Sequence, residues 1–284
     1  MGPKPRTRRD LLRLAGATAA ALSLETRAAH GRATRPARTT RVKFGLASYS
    51  LRKFDLDRTI EMTKRVGLKY ICLKSFHLPL DSTPDRIAQV VKKLKDAGLV
   101  LYAGGVISMR TQADIDRAFE YAKAAGMRVI VAGNLPPALL PVVDAKVKQY
   151  DIKVAIHNHG PGDRLYPTPD SAYARLKPYD KRIGFCHDIG HTQRLGIDPV
   201  ASTLKVADRL HDIHVKDVTG PTARDHGCEI GRGVIDIPGF LRTLLKIKYA
   251  GVVAIEYEKD ADDPLPGLAE SAGYLKGALA AITA

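Results

Sequence analysis

Cysteine is scarce in this chain of 284 residues, which holds only Cys72, Cys186 and Cys228. Three scattered cysteines cannot form a disulfide framework, and none has the close pairing that a zinc ribbon needs. The first strand-to-helix turn, Ser48-Tyr49-Ser50-Leu51, also lacks the GxGxxG fingerprint. Because that glycine pattern lets a backbone approach a pyrophosphate, its absence argues against a dinucleotide-binding fold.

The chain also lacks an apolar run long enough to cross a bilayer. Its Ala-rich N-terminal run, Leu14 to Leu24, is too short for a permanent span. It follows Thr7-Arg8-Arg9-Asp10-Leu11-Leu12-Arg13, and this order resembles a twin-arginine export signal. We therefore expect residues 1–41 to be a signal and disordered linker, with export to the periplasm or beyond; a basic disordered tail is the alternative. That route carries folded proteins, often with a bound cofactor.

The net charge of +15 would suit nucleic acid or an anionic membrane if it were spread over the whole chain. Residues 1–41, however, hold ten Lys/Arg and two acidic residues, so +8 of the +15 lies there. With 45% hydrophobic and 26% charged residues, the remainder has the composition of an ordinary globular protein. We therefore expect no nucleic-acid partner and no stable membrane span.

From residue 42 onward, apolar strand-like runs alternate with amphipathic helical patterns, eight of each. The strand-like runs begin near Val42, Tyr70, Val100, Arg128, Lys153, Arg182, His211 and Val252. The helices are predicted over 56–66, 84–97, 113–125, 139–150, 169–179, 199–209, 238–248 and 268–282. Such repetition implies parallel strands with right-handed crossovers. The eightfold count predicts a single α/β domain over residues 42–284, a closed (β/α)8 TIM barrel, and no linker divides it.

Polar residues stand where four of these strands end, and in a (β/α)8 barrel the chemistry lies at the C-terminal strand ends. Strand five ends in His157, strand six in Asp188, strand seven carries His214, and Glu256 is the first charged residue of the last strand. Two imidazoles and two carboxylates suit Mn, Co, Zn or Fe better than Ca or Mg, which prefer oxygen-only shells. We predict that these four residues bind one divalent metal ion.

The motifs at these strand ends make the chain similar to the xylose isomerase-like barrel superfamily. The resemblance is strongest to proteins called sugar phosphate isomerases/epimerases, with inosose dehydratase and keto-sugar lyases as relatives. It covers about residues 42–284 and rests on Asp188-x-x-His191, on His214 in His-Val-Lys-Asp, on Gly231-Arg232-Gly233 and on Glu256. The resemblance implies a small-molecule carbohydrate substrate.

One residue departs from the epimerase branch of that superfamily. There, a Glu ends strand five and another ends strand eight, and the resemblance would have both bind metal while they exchange protons with opposite faces of the substrate. In this chain the strand-five position is His157. A strand five of this His-x-His type resembles the dehydratase and lyase side instead.

The expected chemistry is removal of a proton from a carbon next to a carbonyl. A cation polarises the substrate oxygens and stabilises the enediolate, and a base removes the proton. We predict Glu256 as that base, with His157 or His159 opposite it as acid or second base. Return of the proton to a neighbouring carbon gives an isomerase or epimerase, the leading expectation. Loss of a β-oxygen gives a lyase or dehydratase acting on a keto-sugar or 3-keto-glycoside, the alternative.

Further candidates for substrate binding flank these residues. His191 would bind substrate oxygens or orient a ligand, and Lys216 would contact a substrate oxyanion. Arg232 would clamp a phosphate or carboxylate, unless it is a solvated loop residue. Lys74 and His77 follow strand two and would hydrogen-bond a sugar, unless they only pack the loop.

Two other function classes stay open at this point. One is a barrel that binds carbohydrate without catalysis, and the other is a hydrolase of the apurinic endonuclease type. The second needs more His and carboxylate ligands than the chain offers near these strand ends, and export would separate the protein from the chromosome. The sequence leaves open the metal, the substrate, the leaving group and the oligomeric state.

Overall fold

The structure is a computed structural model that describes residues 42–284, so the predicted signal and linker lie outside the described residues. Strands alternate with helices along the described part of the chain. The strands are β1 Lys43–Ala47, β2 Tyr70–Leu73, β3 Val100–Ser108, β4 Val129–Gly133, β5 Lys153–His157, β6 Ile183–Asp188, β7 Leu210–Val215, β8 Asp217–Val218, β9 Gly227–Cys228 and β10 Val252–Ile255.

Eight of these strands close into a barrel in the order β1-β10-β7-β6-β5-β4-β3-β2. Every neighbouring pair in this barrel is parallel. The predicted single (β/α)8 barrel is confirmed. The long gap before the last barrel strand holds a short antiparallel pair, β8 with β9, which the sequence analysis does not predict.

Nine α-helices connect or follow the strands in the described residues. They are α1 Leu56–Arg65, α2 Pro84–Asp96, α3 Gln112–Ala124, α4 Leu140–Tyr150, α5 Pro169–Leu176, α6 Ile189–Gln193, α7 Pro199–Lys205, α8 Ile237–Lys246 and α9 Leu265–Thr283. Side-chain caps explain several starts: Asp55, Thr83 and Thr111 each accept a backbone N–H in the first turn of the helix that follows.

Glycine ends three of these helices, because Gly67, Gly98 and Gly126 adopt the left-handed conformation with φ of 68°, 78° and 65°. After α8, Lys248 takes the left-handed position instead of a glycine, with φ 55°. The predicted helix 199–209 ends earlier, at Lys205, and a 3-10 turn over Ala207–Arg209 follows it. The one helix without a predicted counterpart is α6, which begins directly after β6.

The barrel encloses unusually small side chains along part of its axis. Ala47, Cys72, Ala155, Cys186 and Ala254 are all buried in one interior cluster. Branched residues usually fill this space in (β/α)8 barrels. In this chain the space beside the small side chains is occupied by Tyr102 of β3, which belongs to the same cluster. Larger apolar side chains, such as Phe119 and Phe240, pack in the separate main core.

The register of β6, β7 and β10 sets the height of the polar side chains inside the barrel. Asp188 pairs with His214, and His214 pairs with Ala254, so these positions form one level. Cys186 pairs with Asp212 one level below. Because strand side chains alternate between faces, residues two apart share the interior face. None of the helices within residues 42–284 is long and apolar enough to cross a membrane.

Candidate metal centre

The four predicted metal ligands come together at the carboxyl end of the barrel. His157, Asp188, His214 and Glu256 each place a ligand atom within 4.8 Å of the others'. His157 Nε2 lies 3.4 Å from Asp188 Oδ2, and His214 Nδ1 lies 3.2 Å from Glu256 Oε2. All four side chains are buried. Four adjacent barrel strands therefore deliver one ligand each, as the strand register predicts.

Several buried atoms of this cluster have no hydrogen-bond partner. Both ring nitrogens of His157 and of His214 are in this state, whereas Asp188 Oδ2 and Glu256 Oε1 each lie 3.0 Å from a lysine ammonium group. Unpaired polar atoms are costly in a protein interior, so their convergence needs a common partner. A nitrogen-and-oxygen donor set suits a borderline divalent cation such as Zn or Mn. The residues present thus fit a divalent cation.

Two buried lysines complete the charge of the cluster. Lys216 Nζ lies 3.0 Å from Asp188 Oδ2 and 2.9 Å from Glu256 Oε2. Lys74 Nζ lies 3.0 Å from Glu256 Oε1. The stem of Lys216 runs over Gly190, where a Cβ would overlap its Cγ and Cδ. Lys216 Nζ also lies 3.0 Å from Glu258 Oε1, so three carboxylates face two ammonium groups before any cation is counted.

The protonation states follow from this charge balance. Burial alone would raise the pKa of Glu256, but His214, Lys216 and Lys74 outweigh it and hold that pKa well below its usual value. For Asp188, His191 and Lys216 likewise outweigh burial and lower the pKa. Burial would lower the pKa of Lys216, yet the facing carboxylates raise it. The carboxylates therefore stay ionised and the lysine stays protonated at neutral pH.

At His157 on strand five, burial outweighs the neighbouring charges, in contrast to Glu256 and Asp188. Burial holds the pKa of His157 well below its usual value, although Asp188 opposes the shift. A neutral imidazole is the form that binds a metal ion. His157 is therefore in the ligating state at neutral pH.

A pocket opens directly above this cluster, with a cavity volume of about 320 Å³. Its volume lies within the range of small-molecule sites. The lining combines cluster residues with aromatic and polar side chains. These residues are Tyr49, Lys74, Ser75, Phe76, Val106, His157, His159, His191, Glu256 and Glu258.

His159 and His191 bring two further imidazoles to this pocket. The His159 ring lies 4.7 Å from that of His157, centroid to centroid, and 6.4 Å from that of His191. The backbone N–H of His191 donates to Asp188 Oδ1 at 2.8 Å, which caps α6. Burial lowers the pKa of His191, so this imidazole is neutral at neutral pH. Both rings are placed to exchange protons with a ligand in the pocket.

Three of the predicted substrate-binding residues, His77, Lys216 and Arg232, do not line this pocket. His77 has both ring nitrogens within hydrogen-bond distance of other groups, Ser48 Oγ at 2.9 Å and Thr59 Oγ1 at 3.0 Å. Arg232 pairs with Glu270 of α9 through two hydrogen bonds, and its side chain is exposed. Lys74 and His191 line the pocket, and Lys216 contacts Asp188 and Glu256 beside it.

The neighbouring Asp217 organises a loop. Its carboxylate accepts backbone N–H groups from Gly231, Gly233 and Ile235. The Gly-Arg-Gly turn is thereby tied to β8, which follows the strand that carries His214. Gly233 leaves no room for a Cβ against this carboxylate and the Val218 carbonyl.

Sequence reasoning missed Glu258 and Tyr49. Glu258 accepts a hydrogen bond from Lys216 Nζ at 3.0 Å, and its spacing of two from Glu256 was the available signal. Lys74 Nζ lies 5.3 Å from the Tyr49 ring centroid. No sequence signal marks Tyr49, because the turn after β1 sets its direction.

Known proteins share this fold and sequence pattern. The family described as "Xylose isomerase-like TIM barrel" matches residues 61–278. The curated "Rhizopine catabolism protein MocC" of Rhizobium meliloti is 26% identical over 136 residues, and this match spans 43% of the chain and 41% of that relative. The chain thus spans about two fifths of the length of the curated relative it matches.

Three solved structures have a similar fold. The IOLI protein with a zinc atom is 16% identical, with a TM-score of 0.72 over 85% of this chain and 99% of that chain. The 3-keto-D-glucoside 4-epimerase YcjR of E. coli is 17% identical, with a TM-score of 0.66 over 83% and 99%. The probable 3-DHS dehydratase AsbF of Bacillus anthracis is 14% identical, with a TM-score of 0.67 over 83% and 99%. At these identities the similarity shows the fold alone.

Proposed function

Because the chain belongs to the xylose isomerase-like TIM barrel family, we propose that it is a divalent-metal-dependent isomerase or epimerase of a sugar or keto-sugar. The observation that carries this proposal is the convergence of His157, Asp188, His214 and Glu256, with unpaired buried atoms, beneath a pocket. The zinc atom named for one protein of similar fold and the epimerase named for another agree with it.

The reaction we propose begins with loss of a proton from a carbon next to a carbonyl. A bound divalent cation supplies the Lewis acidity that polarises the carbonyl. Lys216 and Lys74 keep two protonated ammonium groups within 3.0 Å of Glu256, at the pocket floor. Three carboxylates face these two ammonium groups, a formal charge of −1, so a divalent cation would bring the floor to +1. A positive floor favours the negative charge that develops on an enediolate.

Proton transfer needs a group that can accept a proton at neutral pH. The sequence predicts Glu256, but His214, Lys216 and Lys74 outweigh its burial and hold its pKa well below the usual value, which makes it a weak base. His159 and His191 line the pocket, and neither belongs to the four predicted ligands. We propose that these imidazoles exchange the proton, while Glu256 acts chiefly as a ligand. A positioned acid or base contributes about 10²- to 10⁴-fold in rate.

The test is proton NMR in heavy water with metal-loaded protein and a panel of aldoses, ketoses and 3-keto-glycosides. Solvent deuterium that enters an intact or isomerised sugar supports the proposal. No exchange and no product with any metal of the series Mn, Co, Zn and Fe would refute it. Tight sugar binding without exchange would instead indicate a binding barrel.

Variants assign the roles of individual residues. We expect Asp188→Asn to lose cation binding, and His159→Asn to keep cation binding but slow deuterium exchange about 10²-fold or more. His211→Asn is the matched control, because His211 lines the cavity at the opposite mouth of the barrel. Glu256→Gln separates the two base assignments: loss of cation binding marks a ligand, whereas retained binding with no turnover marks the base.

A second candidate function is β-elimination from a keto-sugar or 3-keto-glycoside. His157 favours it, because an imidazole stands where the epimerase branch has a second carboxylate for proton exchange. The dehydratase named for one similar structure is in keeping with it. The same NMR experiment distinguishes the two, since elimination gives an unsaturated keto-sugar and releases the leaving group.

We also propose that the protein is exported by the twin-arginine route. The basis is Arg8-Arg9 followed by the Ala-rich run to Leu24. Fusion of residues 1–41 to a folded reporter tests it in a bacterial host. Replacement of Arg8 and Arg9 by lysine should leave the reporter in the cytoplasm, and unchanged export would refute the proposal.

A further inference from the structure

One buried carboxylate near the metal centre has no role in the chemistry proposed above. Asp212 of β7 stands two residues before His214, on the same interior face of the barrel. It is fully buried, one level below the predicted ligands and opposite Cys186. An ionisable group at such a position is costly unless it has a partner.

The contacts of Asp212 leave half of its carboxylate free. Tyr102 donates its hydroxyl hydrogen to Oδ1 at 3.0 Å. Oδ2 has no hydrogen-bond partner and lies 3.8 Å from His214 Nε2, which also has none. Tyr102 can reach Asp212 because small side chains such as Ala47 and Cys72 surround it. Oδ1 of Asp212 therefore has a hydrogen-bond donor, Tyr102, whereas Oδ2 faces His214.

The two nitrogens of His214 face in different directions. Nδ1 lies 3.2 Å from Glu256 Oε2, on the side of the predicted ligands. Nε2 lies on the side of Asp212. A neutral imidazole carries one proton, and the nitrogen that binds a cation must be the unprotonated one. The proton must therefore reside on Nε2 if Nδ1 is to bind a cation.

We propose that Asp212 is a positioning residue that accepts the Nε2–H of His214 and thereby presents the Nδ1 lone pair to the metal ion. The inference rests on the metal-dependent function proposed above. Outer carboxylates that orient a ligating imidazole typically change metal affinity by 10- to 100-fold when they are removed. Asp212 acts only through His214, since the pocket lining does not include it.

A different assignment for the same carboxylate is a second metal site. Cys72, Asp212 and His214 also place ligand atoms within 4.8 Å of one another. This group shares His214 with the upper cluster, and burial raises the pKa of the Cys72 thiol well above its usual value. A protonated thiol is a poor ligand. We therefore treat a second ion as an outcome of the test.

The test compares wild type with Asp212→Asn, which keeps the side-chain volume and can still accept from Tyr102. Both proteins are compared at pH 8. Affinity for Zn²⁺ is measured by competition with a chelator, and stoichiometry by elemental analysis. We expect one ion per chain and a 10- to 100-fold weaker affinity in the variant. Tyr102→Phe is the matched control; it keeps the carboxylate, so its affinity should change by less than about threefold.

A second measurement reads the proton on His214 directly. In metal-free wild type labelled with ¹⁵N-histidine, we expect the Nε2–H tautomer of His214, and in Asp212→Asn a mixture of tautomers. Thermal unfolding of both metal-free proteins shows whether the variant is merely destabilised. A positioning role leaves that stability close to wild type.

The possible outcomes separate this inference from the proposed function. If wild type binds Zn²⁺ and Asp212→Asn binds it equally well, the role of Asp212 is refuted while the metal-dependent function stands. An Nδ1–H tautomer in wild type, or two ions per chain with loss of one in the variant, also refutes the role. If wild type binds no cation, the proposed function fails first and the role fails with it.

Discussion

Replacement of Lys216 by methionine tests the charge balance of the candidate metal centre. The Lys216 ammonium contacts Asp188, Glu256 and Glu258 at 2.9–3.0 Å, and its side chain is only 5% exposed. Methionine keeps most of the apolar stem over Gly190. The variant therefore removes one buried positive charge and little packing.

The magnitude follows from the charges that remain. Removal of one partner of a buried ion pair usually destabilises a protein by about 3–5 kcal/mol, because the other charge is left without compensation. Asp188 and Glu256 are both ionised before the change, so we expect a loss near this range in metal-free protein. A bound cation should reverse part of this loss of stability, because the cation restores positive charge between the same carboxylates. A cation at 100 times its dissociation constant adds about 2.7 kcal/mol.

The assay is urea unfolding at pH 7.5, with EDTA or with Zn²⁺, for wild type and Lys216→Met. Lys216 repels a cation in wild type, so the variant should bind Zn²⁺ at least about tenfold more tightly, or about 1.4 kcal/mol. Catalytic turnover should nevertheless fall. A variant that is as stable as wild type in EDTA, or that gains less from Zn²⁺ than wild type does, would refute this account of the centre.

Two further predictions concern packing and pH. Gly190→Ala should displace Lys216, because a Cβ at residue 190 would overlap the Lys216 stem. We expect the free energy of unfolding, measured thermally, to fall by about 1–3 kcal/mol and turnover to fall as well. An unchanged stability would contradict the contact. His211 should make the fold acid-sensitive, because burial and Lys153 lower its pKa to about 4. Its neutral form is favoured in the folded state, so this stability is present above about pH 6.5 and is lost as the pH falls toward 4. His211→Gln should flatten the urea-measured stability between pH 7 and pH 4.5, and an equal slope in both proteins would contradict the prediction.

Much of the fold was predictable because each repeat carries its own local signals. Apolar runs and amphipathic patterns predict the strands and helices within a few residues, and Thr83, Thr111 and Gly67 mark helix ends by side-chain or backbone chemistry. The exceptions are elements without such a pattern. The helix α6 has five residues, and the β8–β9 pair has two residues in each strand. Pieces this short show no periodicity.

The candidate site was predictable where strand ends determine it. His157, Asp188, His214 and Glu256 follow from the rule that residues at the carboxyl ends of barrel strands meet, and their convergence agrees with the prediction. Loop side chains did not follow from any rule. Arg232 lies in a glycine-flanked turn, where sequence leaves its direction open, and the structure directs it to Glu270.

The sequence by itself determined the eightfold barrel and the strands that supply the predicted ligands. Both depend on the periodicity of apolar residues along the chain, which is a local property and does not depend on side-chain rotamers. Only the tertiary structure decided that Lys74 and Lys216 neutralise Glu256, and that His214 turns Nδ1 toward Glu256 and Nε2 toward Asp212. Those relations join residues from different strands through side-chain rotamers and burial. Their energies depend on distances of a few ångströms, which spacing along a chain does not specify.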